Sequence, residues 1–102
     1  MAKRKIVWSS RAIKRLYAIL DFYIDRNKSK TYSTKLHRLL NKEAKLLLKY
    51  PEIGLKTTKP SVRGLIIDFF IIYYEITEDK IIIHTIRGCR QDPDSKIINN
   101  NI

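Results

Sequence analysis

The sequence predicts an α+β domain: an N-terminal strand, an antiparallel two-helix hairpin, and a mostly antiparallel sheet whose last three strands form a meander. Three observations lead there. Residues 62 to 93 crowd Val, Ile, Phe and Tyr, which suit a pleated, half-buried surface better than a helix that restricts their rotamers. Residues 11 to 50 instead repeat their apolar positions at three- and four-residue steps, the period of a helix with one buried stripe. The gaps inside the strand-rich half are short, and a parallel crossover needs a dozen or more residues, so its successive strands must run antiparallel.

In chain order, Lys5-Ile6-Val7-Trp8 reads as a short strand, and Ser9 and Ser10 follow as candidate N-caps. A helix over residues 11 to 26 places Ile13, Leu16, Tyr17, Leu20, Tyr23 and Ile24 on one stripe. Asn27-Lys28-Ser29-Lys30 breaks it. A second helix runs from Thr31 to Tyr50, burying Tyr32, Leu36, Leu39, Leu40, Leu47 and Tyr50, and stops because Pro51 disfavours helical geometry in the residue before it. So short a link makes the two helices an antiparallel hairpin. PEIGLKTTKPS, residues 51 to 61, reads as a loop. Thr77-Glu78-Asp79-Lys80 separates FFIIYYEI from KIIIHTI as a hairpin turn, and the earlier break falls at Gly64 or Asp68.

At 102 residues the chain has the size of one domain with one core. That domain is expected over residues 1–93, with a mobile tail over residues 94–102. An apolar share of 44% with 10% aromatics argues against disorder. A single cysteine, Cys89, excludes an internal disulfide and suits a reducing cytoplasm. MAKRKIVW carries no long apolar stretch and reads as no secretory signal. The most apolar run is interrupted by Asp68 and falls well short of the roughly 20 residues of a membrane-spanning helix.

The net charge is +11 and it is unevenly placed. Residues 1 to 50 hold 14 Lys and Arg against 3 Asp and Glu, whereas residues 51 to 102 hold 7 against 7, so the helical half carries the whole excess. Such asymmetry points to an acidic partner, nucleic acid or an acidic protein segment. Lys35, Arg38, Lys42, Lys45 and Lys49 follow steps of three and four along one side of the second helix. They read either as a solvated face or as a docking surface.

Arg63, Arg87 and Arg90 stand near strand ends, where charged side chains can share a groove; the competing reading pairs them with Asp68, Glu75, Asp92 or Asp94. His84, alone in an apolar strand, reads as a hydrogen-bonded structural residue. Cys89 lies between two arginines able to lower its pKa, but no base partner is identifiable, so it reads as a passive small residue. His37 on the second helix faces either core or solvent. No histidines, cysteines or carboxylates show metal-ligand spacing, and Gly54, Gly64 and Gly88 stand too far apart for a phosphate loop, so neither metal nor cofactor is expected.

This order of elements, with IVWSSRA at the first strand-to-helix step, Tyr32 opening the second helix, LLLKYPEIG closing it, then VRGL, FFIIYYEI and IIIHTIRGCRQDP, resembles the RelE/ParE superfamily of toxins from type II toxin–antitoxin systems. The resemblance spans nearly the whole chain and rests on six pieces in order, none diagnostic alone. It implies two alternative activities. RelE-like members are ribosome-dependent mRNA endoribonucleases; ParE-like members inhibit DNA gyrase by binding.

Cleavage by a 2′-hydroxyl calls for a base, a cation for the phosphorane and an acid for the leaving oxygen. On the RelE reading those groups would come from Lys56, Lys59, Arg63, His84, Arg87 and Arg90, without a metal. The arginine of a YRLVY-like strand is replaced here, since the segment reads FFIIY with Phe69 and Phe70 ahead of Ile71, and no tyrosine follows Tyr74. Phenylalanine cannot stabilise a phosphorane. VRGL followed by a strand and the terminal RGCRQDP is closer to the ParE branch, which implies a binder without catalysis of its own. On that reading Arg63, Arg87 and Arg90 meet the target, DNA gyrase, and the basic face of the second helix receives a cognate antitoxin in a toxin–antitoxin hetero-oligomer. The antitoxin would extend the sheet by strand addition or lay a helix in a groove.

Overall fold

In a computed structural model describing residues 4–88, five strands form one sheet covered on one face by two helices. The elements are β1 (Lys5–Trp8), α1 (Ser10–Asn27), α2 (Thr31–Lys49), β2 (Leu55–Lys56), β3 (Val62–Ile67), β4 (Phe70–Ile76) and β5 (Lys80–Gly88). The spatial order is β1-β5-β4-β3-β2, with β1 parallel to β5 and every other pair antiparallel. The expected α+β class, helical hairpin and three-strand meander are all present. The segment over residues 51 to 61, read as a plain loop, contains the two-residue strand β2. So short a run carries no periodicity of its own; its pairing with β3 creates it.

Ser9 is the cap that α1 uses. Its hydroxyl oxygen accepts the Ala12 N–H at 3.0 Å and donates to His84 O at 2.9 Å, while its own N–H reaches Ile83 O at 2.9 Å. One residue therefore ends β1, starts α1 and pins both to β5. At the far end Lys28 adopts a left-handed conformation with φ 53° and donates its N–H to Ile24 O, which stops α1 without a glycine. The Ser33 hydroxyl then donates to Leu20 O at 2.6 Å inside the hairpin and fixes the pairing of the helices.

Ala12, Leu16 and Leu20 of α1 and Leu36, Leu40, Ala44 and Leu47 of α2 bury against Ile67, Phe70, Ile72, Tyr74, Ile81, Ile83 and Ile86 of the sheet. Each large aliphatic chain so buried contributes about 1.5–3 kcal/mol. Ile13 and Tyr17, placed on the buried stripe by spacing alone, are instead 41% and 53% exposed, because the true stripe is centred on Ala12, Leu16 and Leu20. Tyr50 is likewise 52% exposed.

The β3–β4 break falls at Asp68-Phe69, since Ile67 pairs with Phe70, and Asp68 takes φ 57° to turn the chain. Gly64, the other candidate, lies within β3 opposite Tyr73. β5 carries a bulge: Tyr73 faces Thr85 and Tyr74 faces Ile83, so His84 is the extra residue. The bulge shifts the alternation, and Ile81, Ile83 and Ile86 all reach the helix side despite the uneven spacing. Among the described residues no helix is long and apolar enough to cross a membrane.

Candidate functional site

Register decides which site residues can act together, because directly paired residues share a face. Arg63 pairs with Tyr74 and with Lys56, on the side of the sheet that carries the helices. Arg87 pairs with Ile71, a position that alternates away from Ile72 and Tyr74, so it projects from the opposite side. His84 shares that second side, since its Nε2 lies 2.9 Å from Oε1 of Glu75. Of the residues of the cleavage reading, Lys56 and Arg63 lie on one face and His84 and Arg87 on the other, so these four do not converge. Lys59 is exposed in the β2–β3 connection, and Arg90 and Cys89 lie outside the described residues.

At the β2 end a polar clamp joins Tyr74, Arg63 and the loop after α2. Tyr74 Oη donates to Pro51 O at 2.6 Å and accepts the Gly54 N–H at 2.9 Å. Arg63 Nη1 donates to Gly54 O at 2.9 Å and to Glu52 O at 3.3 Å. Burial raises the Tyr74 hydroxyl pKa above its ordinary value, although the Gly54 N–H and the nearby Arg63 cation act in the other direction. Gly54 is required here by space: a Cβ there would come within 2.5 Å of Tyr74 Oη. Arg63 thus forms hydrogen bonds to loop carbonyls and, among the described residues, not the ion pair with Asp68 or Glu75 of the competing reading.

On the opposite face Glu75 takes His84 as its partner, each about one-third exposed. The histidine is hydrogen-bonded within the sheet, as its apolar surroundings suggested. Arg87 is half-buried and forms no ion pair among the described residues; Asp92 and Asp94 lie outside them. Phe70 of the FFIIY segment is buried in the core beside Tyr23.

The basic residues of α2, Lys35, Arg38, Lys42, Lys45 and Lys49, are all exposed. At 100° per residue they span an arc of about 80°, so they form one continuous side of the helix. His37 lies beyond the Lys45 margin of this arc, edge-to-face with Tyr17 at 6.3 Å. Lys45 lines a groove between α2 and β1, together with Arg4, Lys5, Ile6, Trp8 and Leu48. Sequence spacing found the basic side of α2 but not its neighbour β1, because a four-residue strand gives no sign of which of its edges stays unpaired. No group of three or more His, Cys, Asp or Glu side chains suited to a metal occurs among the described residues.

A strand, a helical hairpin on one face and a strand meander closing back on the first strand define a small two-layer α+β fold. The toxin–antitoxin structure described as the chromosomal ParDE TA system from P. aeruginosa matches at 21% identity and a TM-score of 0.72, covering 84% of this chain and 96% of that one. The family described as ParE toxin of type II toxin-antitoxin system, parDE, matches residues 6–93. The chain belongs to this ParE toxin family. No curated protein gives a significant match to the sequence.

Proposed function

We propose that the chain is a growth-inhibiting toxin that binds DNA gyrase in the cytoplasm and is neutralised by a cognate antitoxin in a hetero-oligomer. The observation that carries this reading is the family match over residues 6–93, which reaches every element of the fold. The P. aeruginosa relative's description as a toxin–antitoxin system supports an antitoxin partner. Residues 1–93 are proposed to act as a single toxin domain. Action by binding is supported by the register, which puts Lys56 and Arg63 on one face of the sheet and His84 and Arg87 on the other.

Arg87, with Arg90 three residues on, is the proposed target contact. Its guanidinium is uncommitted among the described residues, whereas Arg63 is engaged with the loop after α2. Two assays test the reading together. The purified chain should block supercoiling by gyrase and leave ribosome-bound messenger RNA intact; codon-positioned cuts with normal supercoiling would replace the binder by the ribonuclease. Arg87→Ala combined with Arg90→Ala should relieve growth inhibition without changing the melting temperature, and full toxicity in that variant removes these arginines from the contact.

A further inference from the structure

We propose that the basic side of α2 is a docking surface for duplex DNA, which it holds by the phosphates. Lys35, Arg38, Lys42, Lys45 and Lys49 stand exposed in one row along this side. The side chains of the first four take part in no ion pair or hydrogen bond among the described residues, and Lys49 lies over the Tyr50 ring, 6.0 Å from its centroid. None of the five meets a carboxylate among the described residues.

A face that serves only to keep a helix in water mixes its signs, with acids three or four residues from the bases. Here each of the five has another of the five at that distance and no acid of the helix. Glu43, the one acid of α2, lies about 120° around the helix from the middle of the row. The first turn carries no acid either, so the positive end of the helix dipole adds to the same field. Such a row repels itself until an anion covers it.

The form of the row selects the anion. From Lys35 to Lys49 it runs about 21 Å, with successive cations about 4.5 and 6 Å apart along the axis. A DNA duplex carries one phosphate per roughly 1.7 Å of its axis, so a stretch of that length offers a phosphate to every cation. An acidic protein segment would want apolar anchors, and none of the five positions supplies one. A single strand would want aromatic rings on which to stack its bases, and the row contains none. The choice of DNA over an RNA duplex rests on the target reading above, because gyrase works on DNA. The helices cover the sheet face opposite the one from which Arg87 projects, so one molecule can meet DNA and enzyme at the same time.

Fluorescence anisotropy with a labelled DNA duplex of about two turns, in the absence of gyrase, tests this. Affinity should fall with salt along a log–log slope of about −4, as expected when four or five phosphates are neutralised. Lys35→Gln, Arg38→Gln and Lys42→Gln together should bring the slope to about −2 and weaken binding at least about tenfold. The melting temperature of that variant should hold or rise, since repulsion is relieved. Arg11→Gln, Lys14→Gln and Arg26→Gln remove as much charge from exposed positions of α1 and should leave the slope near its wild-type value. An equal fall in both triple variants would make the attraction a matter of net charge and overturn the assignment to α2. Tighter binding of an RNA duplex, a single strand or an acidic peptide of equal charge would overturn the assignment to DNA. These failures leave the toxin reading intact, because no gyrase is present. If DNA binds as described while the chain leaves supercoiling unhindered, the surface stands and the gyrase reading falls.

Discussion

The two ends of the sheet treat their spare polar groups in opposite ways. At the β2 end the chain satisfies itself: the Tyr74 hydroxyl bridges Pro51 O and Gly54 N–H, Arg63 donates to two loop carbonyls, and Thr57 Oγ1 donates to Val62 O at 2.9 Å. At the β1 end Ile6 and Trp8 turn their backbone groups outward beside a cation-lined groove. An internally closed edge adds stability and presents nothing for a strand to join; an open edge offers a template, and its flanking Arg4, Lys5 and Lys45 discourage pairing with another copy of the same basic chain. The difference separates a margin closed by its own loop from a margin left open within one sheet.

Substitutions should expose that division. Tyr74→Phe leaves Gly54 N–H and Pro51 O without their partner and should lower unfolding stability by about 2–3 kcal/mol in a urea titration. Gly54→Ala forces a methyl against the same hydroxyl and should cost about 1–3 kcal/mol by the same measurement. Arg63→Ala should cost about 1 kcal/mol, since the half-buried guanidinium holds the loop from partly solvated positions.

The pH dependence carries the same signature. Burial raises the Tyr74 pKa in the folded chain, so the unfolded chain releases this proton first. That contribution to stability is complete below the unfolded value and declines as pH rises past about 10. Wild type should lose stability there in thermal melts, and Tyr74→Phe should lack that part of the loss. The smallest effect belongs to the open edge: Lys5→Glu with Lys45→Glu should stay within about 0.5 kcal/mol of wild type. A larger loss would mean that the β1 margin is structural after all and would erase the contrast.

Much of the fold was legible from spacing. The three- and four-residue steps placed α1 and α2 nearly to the residue, and Ser9, Pro51 and the polar Thr77–Lys80 turn marked real boundaries. Spacing erred where two apolar stripes lie side by side on one helix: Ile13 and Tyr17 fit the period as well as Ala12 does, and small Ala12 was passed over although it is fully buried. The candidate site fared less evenly. His84 was read as a bonded structural residue and its partner is Glu75, whereas Arg63 was read as a target contact, or else as a partner of carboxylates, and meets loop carbonyls. Loop carbonyls belong to every residue alike, so no side-chain pattern announces them.

The amino-acid order by itself determined the α+β class, the helical hairpin, the meander and the concentration of positive charge in the first half, because periodicity, caps and charge are local properties of neighbouring residues. The tertiary structure alone decided that β1 inserts parallel to β5, that a bulge at His84 shifts the face of every later β5 residue, and that Arg63 and Arg87 point to opposite sides. Pairing register, bulges and free edges arise between segments distant in the chain, where a shift of a single residue moves a side chain to the other face.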